Sequence, residues 1–213
     1  MRPPHGCAAA CTALLLALAW LPAPVTAAAA VSAAEPATAA APAAQDALDE
    51  LLQRLAARRR GHVTYTEVQH LAVLDRPLES SGELLYEAPD HLEKRILKPR
   101  PETLVLAHGV LSATRGRRTH TVALAAWPQV APLIESIRAT LAGDRVALER
   151  VFAVQLEGDA TRWILRLTPR DPAAARTVTE VRITGESDHL RTVEILEADG
   201  DRSLLTLGPE VAP

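Results

Sequence analysis

Any chemistry in this chain has to come from a small stock of residues. Of the chain's seven histidines, those at 70, 91, 108, 120 and 189 are the ones to weigh. None has a second histidine two or four positions away in one element, the spacing that lets two imidazoles share a metal from one face. Ser187-Asp188-His189 contains the residue types of a hydrolytic triad. Three consecutive residues in a hairpin turn project apart, however, and no G-x-S-x-G elbow raises a serine above a sheet. Ser80-Ser81-Gly82 reads as turn chemistry, with Gly82 supplying backbone freedom. Both cysteines, Cys7 and Cys11, precede or open the N-terminal apolar run, so the rest of the chain has no thiol for nucleophile, disulfide or metal. The expectation is a protein without catalytic residues, metal or cofactor.

Before fold is considered, the N-terminus has to be set aside. Met1 to about Ala27 carries Arg2, an apolar run from Ala8 to Leu21, then Pro22 and Pro24. This is the pattern of a secretory signal peptide, cleaved after Val25-Thr26-Ala27. The run is shorter than the ~20 residues a spanning helix needs. Residues 28–44 are mostly Ala and Pro and read as a flexible tether. Residues 45–213 are enough for one domain with a real core. With 23 Lys and Arg against 26 Asp and Glu, no basic face with aromatic platforms is expected, which argues against nucleic acid. The basic groups Arg58-Arg59-Arg60 and Arg115, Arg117, Arg118 are surface by type, and would suit anionic headgroups or an acidic partner. Past the signal segment the aromatics are Tyr65, Tyr86, Trp127, Phe152 and Trp163, so the interior must be built from Leu, Val, Ile and Ala.

Asp46 to Arg59 places Leu48, Leu51, Leu52 and Leu55 at helical spacing, acidic at its start and basic at its end, with Gly61 beyond. The period then changes. Val63, Tyr65, Leu71 and Val73 alternate on one face of a long, edge-like strand. Short strands follow at 83–87, 91–98 and 103–108, separated by Ala88-Pro89-Asp90 and Pro99-Arg100-Pro101. A hairpin at 110–114 and 119–124 turns at Gly116. "WPQVAPLIESIRATLAGD" interrupts the meander with a second amphipathic helix, Leu133, Ile134, Ile137 and Leu141 on its stripe and Gly143 as C-cap; a short helix continues over 145–150. Strands resume at 152–157, 161–168, 177–184, 190–197 and 203–207. In these, Trp163, Leu165 and Leu167 oppose Arg162 and Arg166, and Val181 and Ile183 oppose Glu180 and Arg182.

About ten antiparallel strands with one helix before them and one helical insert fit an α+β fold: a strongly curved, unclosed half-barrel sheet with helices covering its concave face. A two-sheet sandwich would leave both helical stripes without a partner. A curved sheet that does not close on itself leaves a cavity lined by branched aliphatics.

The element order, "GELLYEAPD", the Pro99–Val105 step, the helical insert and the closing "EADGDRSLLTL" together resemble the LolA-like outer-membrane lipoprotein carrier family, from Ala47 to about Leu207. "PLESSGELLYEAPDHLE" and "AAWPQVAPLIESIRATLAGD" are similar to a LolA-related branch associated with export of lipid-like products. The resemblance implies a monomeric periplasmic carrier that holds a lipoprotein, lipid or lipid-like product and passes it between inner- and outer-membrane transport components. The alternative is a non-catalytic interaction module that uses the same fold to bind a protein partner. The expected cavity wall is Leu84, Tyr86, Leu92, Ile96, Leu104, Leu106, Trp163, Leu165, Leu167, Val181 and Ile183, faced by Ile134, Ile137 and Leu141. One position departs from the family. Lipoprotein carriers place an arginine before the proline at the end of this strand to hold the lid shut; here it is Ala88, so that latch is not carried over.

Overall fold

The structure is a computed structural model and describes residues 40–126 and 131–211. The signal segment, residues 28–39 of the tether and Trp127 lie outside the described residues.

Helix α1 (Ala40–Ala57) begins five residues ahead of Gln45, as its alanines favour. It is followed by β1 (Arg60–His70), β2 (Leu78–Glu87), β3 (His91–Lys98), β4 (Glu102–Ala107), β5 (Val110–Arg115) and β6 (Arg118–Ala123). Helices α2 (Ala131–Ala142) and α3 (Arg145–Val151) interrupt the strands, then β7 (Phe152–Gly158), β8 (Arg162–Pro169), the short α4 (Pro172–Ala175), β9 (Val178–Glu186), β10 (His189–Glu197) and β11 (Arg202–Glu210) follow among the described residues. The eleven strands form one antiparallel, unclosed sheet in the order β6-β5-β4-β3-β2-β1-β11-β10-β9-β8-β7.

That order corrects one expectation. β1 is not an edge strand but the sixth of eleven, paired with β2 on one side and β11 on the other. It also stops at His70, so Leu71 and Val73 are not on its inner face; Val73 is 87% exposed in the following loop. The partner that makes β1 central arrives 130 residues later, and nothing local to β1 announces it. A second correction concerns Ser80-Ser81-Gly82, which lies inside β2 rather than in a turn. Gly82 is needed for a close approach: a Cβ there would lie 1.8 Å from the Arg95 carbonyl oxygen, beside the bulge between β2 and β3.

The core sits where α1 crosses the β7–β10 half of the inner face. Leu48, Leu51, Leu52 and Leu55 pack with Leu148, Phe152 and the inward residues of β8, β9 and β10. The second helix departs from its expected stripe. Its buried residues are Ser136, Ala139 and Thr140, while Ile134, Ile137 and Leu141 are only partly buried. Small residues permit close contact with α1: a Cβ on Gly143, which ends α2 with φ +67, would meet the Leu52 carbonyl at 2.5 Å and the Ala56 Cβ at 2.7 Å. The two buried hydroxyls are satisfied within the helix, Ser136 donating to the Leu133 carbonyl and Thr140 to that of Ser136, both at 2.7 Å.

The outer face is polar. A ladder of ion pairs crosses four strands, Glu157 to Arg166 (2.7 Å), Arg166 to Glu180 (2.9 Å), Glu180 to Arg182 (2.8 Å) and Arg182 to Glu194 (2.8 Å). The interleaved glutamates relieve Arg166 and Arg182, which stand directly opposite each other.

Candidate ligand face on the inner side of the sheet

The register distributes the expected cavity residues over two unlike halves of one face. On β8 and β9, Trp163 faces Gly185, Leu165 faces Ile183 and Leu167 faces Val181. These five side chains are at most 1% exposed and belong to the core under α1. On the other half, Leu84, Lys94 and Leu104 form one cross-strand row, and Tyr86, Leu92, Leu106 and Leu111 the next, with Ile96 opposite Gly82. Leu84, Leu92, Ile96, Leu104 and Leu111 are all partly exposed. From α2, Ile137 packs against the core; Ile134 and Leu141 are partly exposed.

Between the two halves lies a polar group that the sequence reading missed. Glu67 and Lys94 both occupy inward positions, and Lys94 Nζ is 2.8 Å from Glu67 Oε2. Ser80 donates to the same oxygen at 3.0 Å and Ser203 to Oε1 at 3.2 Å. The Lys94 ammonium lies 5.0 Å from the Tyr65 ring centroid, a cation–π distance. Burial alone would raise the Glu67 carboxyl; the charge of Lys94 and hydrogen bonds from Lys94, Ser80 and Gln69 outweigh it and hold Glu67 below the ordinary glutamate value. Burial pushes the Tyr65 phenol up to about 12, and the Glu67 charge acts in the same direction. The signal was in the phase: Glu67 follows Val63 and Tyr65 at period two, and Lys94 sits between Leu92 and Ile96.

Two cavities flank this face. One of about 280 Å³ lies between α2 and the ends of β3–β5, lined by Asp90, Leu106, Leu124, Glu135 and Arg138. The Tyr86 hydroxyl is buried and has no hydrogen-bond partner among the described residues; burial raises its pKa, against the charges of Arg138 and Arg59. The larger cavity, about 570 Å³, is elsewhere, at the start of β1 among Arg58, Arg60, His62, Glu87, His91 and Glu93. Leu85, Tyr86 and Val211 also line it, and several of its charges are paired, Arg60 with Glu87 at 2.6 Å and Arg58 with Glu210, so of the expected apolar wall it is Tyr86 that borders this cavity.

The remaining chemistry-bearing residues are tied into structure. Asp188 and His189 meet, Nδ1 to Oδ1 at 2.7 Å, contrary to the expectation that turn geometry would separate them. Ser187, at φ +53, contributes its carbonyl oxygen, which accepts from Trp163 Nε1 at 3.0 Å. Arg58, just past α1, reaches Asp188 at 3.3 Å and the His189 ring at 2.6 Å, fastening the helix end to the β9–β10 turn. His62 pairs with Glu83 at 3.0 Å and His108 with Asp90 at 2.9 Å. In the β10–β11 turn, Glu197, Asp199 and Asp201 bring carboxylate oxygens within 4.8 Å of one another, a donor set of the kind an oxygen-coordinating cation takes. Asp201 is already committed, accepting the Ala72 N–H at 2.6 Å. Burial, then the charges of Asp199 and Asp201, raise Glu197 to about 7.

A helix-covered, unclosed antiparallel sheet with this element order matches a family model over residues 39–211, that of the outer membrane lipoprotein carrier protein LolA-like family. The chain belongs to this family. No curated protein matched the LolA-like chain. Among solved structures it is similar to a LolA superfamily protein from Nitrosomonas europaea, at 12% identity and a TM-score of 0.44, over 80% of this chain and 93% of that one. It is also similar to a chain in the Pseudomonas aeruginosa MucA/MucB complex, at 16% identity and a TM-score of 0.42, over 78% of this chain and 58% of that one. LprF from Mycobacterium bovis is a third, at 16% identity and a TM-score of 0.36, over 78% and 93%.

Proposed function

We propose that this LolA-like protein is a non-catalytic carrier, exported to the periplasm, that holds the acyl chain of a lipoprotein, lipid or lipid-like product on the β2–β5 half of its inner face and passes it between membrane components. The observation that supports this most directly is the contrast across that face. Trp163, Leu165, Leu167, Val181 and Ile183 are sealed under α1, whereas Leu84, Leu92, Ile96, Leu104 and Leu111 remain partly exposed. A ligand chain laid on them leaves water at a gain of ~0.8 kcal/mol per CH₂. Moving it from a bilayer to this face exchanges one apolar environment for another, so transfer needs no catalyst.

Native mass spectrometry of protein purified from the periplasm is expected to show co-purifying acyl-chain species, and the protein should take up a fluorescent fatty acid. Leu104→Ser should weaken uptake about ten-fold, the cost of one lost apolar wall, with little change in urea midpoint. Leu165→Ala should instead lose about 3 kcal/mol of stability. A clean apo mass together with no fatty-acid uptake would sink the carrier reading and leave a protein partner as the occupant of this face.

A further inference from the structure

The sheet ends in two opposite sets of turns. At the end formed by the β1–β2 loop and the β3–β4 and β5–β6 turns, large aliphatic side chains stand in solvent: Val73 is 87% exposed, Leu74 45%, Leu78 48% and Leu97 53%. These are four of the six large hydrophobic residues most exposed among the described residues. Leu97 is the extra residue where the register of β2 and β3 shifts, since Gly82 pairs with Ile96 and Ser81 with Lys98.

The same end carries cations. Arg76, Lys98, Arg100, Arg117 and Arg118 are all exposed, and none makes an ion pair with another described residue, a state shared elsewhere by Arg59, Arg150, Arg162 and Arg176, whereas Arg58, Arg60, Arg95, Arg138, Arg145, Arg166, Arg182 and Arg191 are paired. Carboxylates nearby are Asp75 and Glu79, with Glu102 held by Arg115 at 2.5 Å. The acidic Glu197–Asp201 turn flanks the far side of β1. It borders the β1–β2 loop, where Asp201 accepts the Ala72 N–H at 2.6 Å, but lies about four strand spacings from the β3–β4 turn, roughly 19 Å along the sheet, so the cations of the β3–β4 and β5–β6 turns are beyond the ~8 Å over which exposed charges act at physiological salt. Exposed aliphatics edged by unpaired cations match a surface that is apolar just below a layer of negative charge.

We propose that this end of the sheet docks on an anionic bilayer surface, with Val73 and Leu74 entering the headgroup boundary while Arg76, Lys98, Arg100, Arg117 and Arg118 face lipid phosphates. Ile96 and Leu97 are consecutive in β3, the first on the inner face and the second at this end, so the docked surface adjoins the ligand face. The inference goes beyond the carrier reading and does not depend on which cargo is held.

Co-sedimentation with vesicles of phosphatidylglycerol and phosphatidylethanolamine, set against vesicles of phosphatidylcholine alone, tests it. Wild type and variants share the same N-terminal segment, so differences between them report on this end of the sheet. The protein should pellet with the anionic vesicles, less so at high salt. Val73→Asp with Leu74→Asp should reduce partitioning at least ten-fold. Arg117→Glu with Arg118→Glu, on a separate turn, should reduce it by about five-fold for each charge removed, and more for the reversal. Circular dichroism and urea midpoints should be unchanged in both variants, as should fatty-acid uptake measured without vesicles. Equal binding to neutral vesicles, no binding to either, or binding that neither variant alters would overturn the proposal while leaving the carrier reading standing.

Discussion

Lys94 Nζ lies 2.8 Å from Glu67 Oε2 on a sheet face whose other inward residues are mostly apolar. The two side chains come from strands separated by β2, and Lys94 reaches Glu67 past Tyr65, whose partner on β2 is Gly82 and so has no side chain in the way. The pair therefore ties β3 to β1 across β2, at the border of the partly exposed half.

Removing one member should be costly because the other stays behind with its charge. Glu67→Gln is expected to lose about 2–3 kcal/mol in urea unfolding, at the lower end for a buried pair because Lys94 can recover some water. Replacing both, Glu67→Leu with Lys94→Met, should restore most of it. Glu67 is held below its ordinary value in the folded protein, so its contribution is present above the unfolded value of ~4.3 and is lost as pH falls through the folded one. The gap between wild type and Glu67→Gln should be full at pH 7 and close in acid; a gap that does not change with pH would show that the pair is not ionised.

Gly82→Ala should destabilise by about 3 kcal/mol, since the new Cβ would lie 1.8 Å from the Arg95 carbonyl oxygen and β2 and β3 would have to part. Gly61→Ala is the control, having no atom within 4 Å of the added Cβ, and is expected to be neutral or slightly stabilising. Equal urea midpoints for the two variants would contradict the close approach.

Glu197 behaves in the opposite sense to Glu67. Its folded value, about 7, lies above the unfolded ~4.3, so the folded state binds the proton more tightly. The stability this provides is complete below the unfolded value and is lost as pH rises through about 7. Glu197→Gln should therefore match wild type near pH 4 and exceed it by about 1–2 kcal/mol at pH 8, allowing for solvent screening at a half-exposed site. Thermal melts across that range would decide it, and a constant offset would rule it out.

Much of the fold is legible from periodicity. Trp163, Leu165 and Leu167 alternate against arginines because β8 has one dry and one wet face, and the leucines of α1 recur at helical spacing because one stripe is buried. What escapes is set by distant partners. β1 resembles an edge strand until β11 pairs with it. Ser80-Ser81-Gly82 has the composition of a turn, yet a carbonyl from β3 is what demands its glycine. In α2 the apolar stripe is conspicuous, and Leu133 and Ile137 do pack against the core, but the fully buried positions are Ser136, Ala139 and Thr140, since close helix contact favours small residues over large ones. The inward charges Glu67 and Lys94 were visible as polar residues in apolar phase, but only the register shows that they meet.

The seam between β1 and β11 has a consequence for how the molecule is made. Tyr65 pairs with Leu207 and His70 with Arg202, so the first and last of the described strands are neighbours at the middle of the sheet. The hairpins from β2 to β6 and from β7 to β10 close locally as they emerge, but each is only a wing. Joining them requires a loop of more than a hundred residues to close. A chain delivered from its N-terminus would thus hold two unfinished wings apart, and acquire its central strand pairing only when β11 has been released.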